Sequence, residues 1–186
     1  HIQGKKQMDS IPELVAIGYS SKLEGYSLRK WIKEKNYPNY FQILCHNCNQ
    51  SKENTKHKSC VHGDRDQTKF KPSRWASYVL SLKMKVYSHY SKRHSNSDVP
   101  CCRCCGESEI DFLAIDHIQG KKQMDSIPKL VAIGYSSNLR QSALMNWIEK
   151  NNFLLDLETD YFQILCHNCN HAKGHSKDNT CPHERQ

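Results

Sequence analysis

The chain has 186 residues, 37% of them hydrophobic, so it can hold one medium domain or two small ones but is thin in apolar material for a single large core. Its formal net charge of +8 suits a polyanionic partner, nucleic acid being the usual one. No apolar run reaches membrane-spanning length and no signal peptide is visible, and the ten cysteines cluster beside histidines, which reads as metal binding in a reducing, intracellular compartment and excludes a disulfide scaffold.

The chain opens inside a repeat. Residues 1–21 (HIQGKKQMDSIPELVAIGYSS) recur at 117–137, where only Glu13 is exchanged, for Lys129. The match weakens after this and sharpens again at YFQILCHNCN, residues 40–49 and 161–170. A Cys-x-His closes each segment, at Cys60/His62 and Cys181/His183. The offset grows from 116 to 121, so the second segment carries five extra residues near 154–158. Two occurrences make a tandem duplication, not a solenoid. A complete first copy needs a strand and a Cys pair upstream of His1.

Local signals predict the elements. Ser10, Pro12 and Glu13 look like a capping box with proline in the first turn, opening a short helix. Leu, Trp and Ile at helical spacing predict a second helix over 27–35, and again over 142–150. Residues 64–100 form a basic connector with eight Lys/Arg against three Asp. Within it Trp75, Val79, Leu82, Val86 and Tyr90 make an amphipathic helix from Ser73 to Tyr90, with Lys83, Lys85 and Arg93 on or beyond its wet side. That helix either packs as a solvated element or lies along phosphates. Short strands are expected over 112–118 and 162–165, with a helix from Asn170 directly after the second. The fold class is therefore α+β, in two small modules. The expected parts are 1–63, a partial module; 64–100, linker and helix; and 101–186, a complete module that also takes the helix from about 73.

The sequence PCCRCCG at 100–106 holds two overlapping C-x-x-C pairs, and Cys166/Cys169 supply another. Two such knuckles in one small domain predict a tetrahedral structural zinc site. Cys102 and Cys105 are the favoured first pair, because Gly106 suits a knuckle turn; Cys101 and Cys104 are the competing register. Cys45 and Cys48 are the corresponding, incomplete pair of the first segment. Cys181 and His183 read as a packed tail, with an added metal ligand as the alternative.

Cys102-x-x-Cys105-Gly106, then Asp116-His117 between isoleucines, then Cys166-x-x-Cys169-Asn170-x-x-Lys173-Gly174 resembles the HNH (ββα-metal, His-Me finger) endonucleases. More narrowly, it is similar to the phage and intron-encoded homing-type members with zinc knuckles and a Cys-Pro-His tail. The resemblance covers about residues 75–183, with a partial second pass over 1–62. It implies zinc-stapled ββα-metal modules in tandem, the first N-terminally incomplete. It also implies a metal-dependent DNA endonuclease of homing or restriction type. His117 would be the general base, Asp116 and Asn170 ligands of Mg²⁺ or Mn²⁺, and Lys173 a phosphate contact; His1 would be the base of the first copy. Histidine is the side chain best tuned to take a proton from water near neutral pH, and the cation offsets charge on the phosphate. Adjacent strand residues point to opposite sides, so the strand end must bend for Asp116 and His117 to share one site. His171 and His175 read as surface residues, with ion or DNA contact as the alternative.

One slot departs from the family pattern. The middle Asn, five residues before the first Cys of the second knuckle, is Tyr161, and Tyr40 in the first copy. A backbone carbonyl would then orient His117. Expected partners are double-stranded DNA, RNA as an alternative, no membrane, and a homodimer if one active copy is to cut both strands. The second function considered is a degenerate HNH-fold DNA- or RNA-binding protein in a nucleoprotein assembly. A two-Cys, two-His zinc finger with a recognition helix between its ligands is absent.

Overall fold

A computed structural model describes residues 4–54, 60, 62, 73–155, 157 and 159–185. His1 and most of the connector's first third lie outside the described residues. The elements are α1 (Pro12–Ala16), α2 (Gly25–Glu34), α3 (His46–Asn54), α4 (Arg74–Ser95), β1 (Leu113–His117), α5 (Pro128–Ala132), α6 (Gln141–Lys150), β2 (Phe162–Cys166) and α7 (His167–His175), with short 3-10 turns between. The class is α+β with a small two-stranded sheet. Among the described residues no helix is long and apolar enough to cross a membrane.

Two compact units divide at Leu44/Cys45, well before the boundary at 63 expected from the repeat. In the first unit Met8, Leu14, Tyr19 and Trp31 form a small core, joined by Phe41 through ring contacts. In the second, β1 and β2 pair antiparallel, with Asp116 opposite Gln163 and His117 opposite Phe162. α4 and α6 pack around β2, and the core is built on Val86, Tyr87, Met145, Ile148, Phe162 and Ile164.

The repeated segments take the same local conformation. Ser10 and Ser126 each donate to the carbonyl three residues back, at 2.7 Å. Asp9 and Asp125 each accept the amide of a serine twelve residues on, at 2.7 Å. Tyr19 and Tyr135 reach back to the Lys5 and Lys121 carbonyls, and Trp31 and Trp147 donate to the Ile17 and Ile133 carbonyls. The expected capping box at Ser10 does not form. The hydroxyl is spent on the Gln7 carbonyl of the preceding 3-10 turn, and α1 starts from an uncapped Ile11 with Pro12 in its first turn.

α4 is longer than the periodicity suggested. It runs from a capping Ser73, whose hydroxyl accepts the Ala76 amide at 3.1 Å, to Asn96 in the left-handed conformation. It buries Leu82, Val86, Tyr87, Tyr90 and Ser91, whereas Trp75 is 62% exposed. The three basic residues expected on its wet side are engaged within the chain. Lys85 pairs with Glu149 at 2.9 Å and Arg93 with Asp160 at 2.5 Å. Lys83 is not on the wet side at all: it turns inward, donates to the Ile110 carbonyl at 2.6 Å and lies 5.1 Å above the Tyr87 ring.

α7 starts at His167, three residues earlier than expected. Cys166 caps it, its sulfur accepting the Cys169 amide at 3.5 Å. The equivalent bond, Cys48 amide to Cys45 sulfur, also measures 3.5 Å, beside α3. α3 and α7 pack together. Asn47 and Asn168, equivalent in the repeat, exchange bonds: the Asn47 backbone amide donates to the Asn168 side-chain Oδ1 at 3.1 Å, and the reverse bond, from the Asn168 backbone amide to Asn47 Oδ1, is 2.8 Å. Equivalent residues exchanging equivalent bonds define a local two-fold relation.

Candidate functional site

The cysteines assemble first. Gly106, at φ +78°, closes a turn by donating its amide to the Cys102 carbonyl at 2.9 Å, a backbone conformation that glycine adopts at little cost. The turn brings Cys102 and Cys105 to Cys166 and Cys169, with all four sulfurs within 4.8 Å of one another. Zinc–sulfur bonds of about 2.3 Å and zinc–nitrogen bonds of about 2.0–2.1 Å in a tetrahedron put S···S edges at about 3.8 Å and S···N edges at about 3.5 Å. The Cys105–Cys166 separation is 3.7 Å. The cluster can hold a metal ion such as zinc, and the pairing is that of the favoured register. Cys101, from the competing pair, is instead buried, its amide donating to the Ser91 hydroxyl at 2.9 Å.

Crowding splits the four thiols. The bond that Cys102 accepts from Cys166 pulls Cys102 down to about 5, and the same bond pushes Cys166 up. Burial, then the charge on Cys102, raises Cys169. A divalent ion is the charge that lets sulfurs this close ionise together.

The tail adds ligands that local spacing around the knuckles does not place. Cys104, Cys169, Cys181 and His183 form a second group whose ligand atoms lie within 4.8 Å of one another. Cys48, Cys60 and His62 form a third. The tail is thus more than packing. The signal available in the sequence was the invariant spacing of Cys48, Cys60, His62 against Cys169, Cys181, His183.

Asp116 and His117 come next, at the end of β1. Asp116 is 8% exposed and points toward α7. Its Oδ2 accepts from Lys173 at 2.5 Å and from Gln163, its partner across the sheet, at 2.6 Å. Lys173 therefore holds a carboxylate and does not project into open solvent. His117 turns to the other face. Its ring meets Phe162 edge-on at 5.2 Å and lies 6.2 Å from Tyr135. Its Nε2 is buried without a hydrogen-bond partner among the described residues. Burial pushes its pKa down to about 4, with Asp116 opposing and Lys121 and Lys173 adding to the fall. The imidazole is accordingly neutral at physiological pH. The strand end does not fold the two side chains onto one face; the pleat separates them.

His117 lines a cleft of about 670 Å³ with Leu113 and Ile115 from the same face of β1. Lys83, Lys121 and Arg140 supply basic groups to its walls, against one acid, Asp111, and His167 adds a second imidazole. Lys121, Arg140 and Trp75 were not among the candidates from sequence. Lys121 was legible, four residues after His117, but nothing local tied Arg140 or Trp75 to that strand. Asn170 sits half-buried in the first turn of α7, directly after Cys169. His171 and His175 are exposed, with rings stacked at 4.1 Å, and His46 approaches His171 at 4.5 Å. Comparison with models of protein families, with curated proteins and with solved structures finds no match in any of the three.

Proposed function

We propose that the chain is a metal-dependent DNA endonuclease of the HNH, ββα-metal type, with its active site in the 101–186 segment. The observation that carries this reading is the position of His117. It ends the first strand of a two-stranded antiparallel sheet whose second strand runs straight into α7, and its ring lines a cleft rich in Lys and Arg. Phosphodiester hydrolysis needs a neutral imidazole to take a proton from water, and desolvation keeps His117 in that form. Lys121 and Arg140 supply the positive lining that draws a phosphate into the cleft. In this reading 1–63 is a partial second copy.

A hard divalent ion fits the donor set at Asp116, a buried carboxylate that already gathers an ammonium and an amide N–H. Asp116 and Asn170 would hold it, taking over the position of the Lys173 ammonium and freeing Lys173 for a phosphate oxygen. Asp116 and His117 lie on opposite faces of β1, so this ion and the His117 base would act on one phosphate only after the strand end bends; Mg²⁺ or Mn²⁺ bound at Asp116 would then offset the charge on the phosphate and leaving oxygen.

A second reading rests on that same ion pair. With Lys173 already neutralising Asp116, the fold can serve as a DNA- or RNA-binding module without chemistry. The test is cleavage of supercoiled plasmid with Mg²⁺ or Mn²⁺ by the chain and by His117→Ala. Nicking or linearisation lost in the variant supports the nuclease. Equal, salt-dependent DNA or RNA binding by both proteins, with no cleavage across a target library, supports the binder.

A further inference from the structure

We infer that Cys169 is a bridging thiolate, shared by two zinc ions in one seven-ligand centre. The first ion takes Cys102, Cys105, Cys166 and Cys169; the second takes Cys104, Cys169, Cys181 and His183. The inference does not depend on the nuclease reading.

The geometry of the second group is that of a coordination shell. His183 Nδ1 lies 3.5 Å from the Cys169 sulfur, 3.4 Å from that of Cys181 and 3.8 Å from that of Cys104. A zinc tetrahedron has S···N edges of about 3.5 Å. One ring nitrogen close to three separate sulfurs is poor hydrogen bonding, since a single N–H serves one acceptor well. It is what a shared cation at the centre of the four atoms produces.

The overlapping cysteines then acquire a reason. In 101–105 the sulfurs of Cys102 and Cys105 join Cys166 at the end of β2, whereas Cys104, between them, joins Cys181 and His183 of the tail. One knuckle turn thus feeds two ions lying on either side of Cys169. Six thiolates against two divalent ions leave roughly two negative charges, the same as an ordinary four-cysteine zinc site. Cys181 is 2% exposed and belongs to the core, so the second ion ties the 181–185 turn to the knuckle.

The first segment supplies an independent instance. Cys48, Cys60 and His62 converge in the same way, with His62 Nδ1 at 3.4 Å from the Cys48 sulfur and 3.7 Å from that of Cys60. These residues match Cys169, Cys181 and His183 one for one, across intervening sequence that has diverged from QSKENTKHKS to HAKGHSKDNT. The Cys-Cys-His cluster therefore forms a second time, with no counterpart of Cys102 and Cys105 among the described residues beside it.

The test uses the full chain carrying Cys60→Ala and His62→Ala, which removes the first-segment cluster, loaded with cadmium-113 in place of zinc. Two cadmium resonances are expected, one in a four-sulfur and one in a three-sulfur, one-nitrogen environment, with scalar coupling between them through the shared sulfur. Adding Cys181→Ala and His183→Ala should remove the second resonance, abolish the coupling and lower cadmium content by one per chain, while the four-sulfur signal remains. A single four-sulfur resonance before that change overturns the second site. Two uncoupled resonances overturn the bridge. Native mass spectrometry of the zinc form, counting ions per chain in the same pair of proteins, gives the stoichiometry without cadmium, and no loss on removing Cys181 and His183 would likewise overturn the proposal.

Discussion

Replacing Lys173 with Met should destabilise the 45–186 unit through Asp116, not through Lys173 itself. The side chains of the pair are only 14% and 10% exposed, and the ammonium lies 2.5 Å from Oδ2. Breaking a buried pair by removing one partner typically costs about 3–5 kcal/mol, because the remaining charge is stranded. Gln163 still donates to the same oxygen, which places the expected loss at the low end, about 3 kcal/mol. For a unit of this size that corresponds to a fall in Tm of roughly 10 °C. Zinc-loaded full chain followed by near-UV circular dichroism in urea reads the midpoint. Asp116→Asn in the Lys173→Met background should recover most of the loss, since a neutral amide needs no counter-charge. A cost below about 1 kcal/mol, the range of exposed pairs, or strict additivity of the two changes would refute the stranded-charge argument.

Acid should weaken the same unit. Burial holds the folded pKa of His117, and that of His167, at about 4, below the ordinary histidine value. The unfolded chain therefore takes up these protons first, so stability is intact above about pH 6.5 and falls as pH drops toward 4, by up to about 3 kcal/mol for His117 and by less for the half-buried His167, whose charge solvent screens. His117→Gln should flatten part of that slope relative to the parent in urea midpoints at pH 5 and 7, and an unchanged slope would count against burial of the imidazole. Asn47→Ala and Asn168→Ala should each cost about 1 kcal/mol, since each strands one helix-end amide of its twin, and the double variant should cost less than the sum. Additive losses in thermal melts would show that the exchanged pair does not act as a unit.

Much of the positioning was legible from local pattern. Short, mainly apolar runs in LAIDH and FQILC mark the two strands, C-x-x-C-Gly marks the knuckle turn, and the spacing of Leu, Trp and Ile marks α2 and α6. What escaped depends on long-range partners. Helical periodicity assigns Lys83 to the wet side, but the 3-10 turn at 110–112 offers it a carbonyl, and an ammonium that finds an acceptor can turn inward along its apolar stem. The motif leaves Lys173 free for phosphate because nothing in its own neighbourhood shows that α7 passes over the Asp116 face of β1. Ser10 has a capping-box sequence, and only the turn at 7–10 shows that its hydroxyl is already committed.

The packing of α7 explains why Lys173 meets a partner that its motif does not show. Its N-terminus is fixed by Cys166 and Cys169, both buried and both within the four-sulfur cluster, so its direction is set by the metal-binding turn and not by an apolar face of its own. A helix of nine residues with so little hydrophobic character is marginal unless held at its ends. Held there, it can turn each remaining face to a polar partner, with Lys173 on Asp116, Asn168 on Asn47 and Asn170 next to the knuckle. The cysteines thus do more than staple the fold. They free α7 from the core, which lets one short polar helix serve the strand end, the paired helix and the sulfur cluster together.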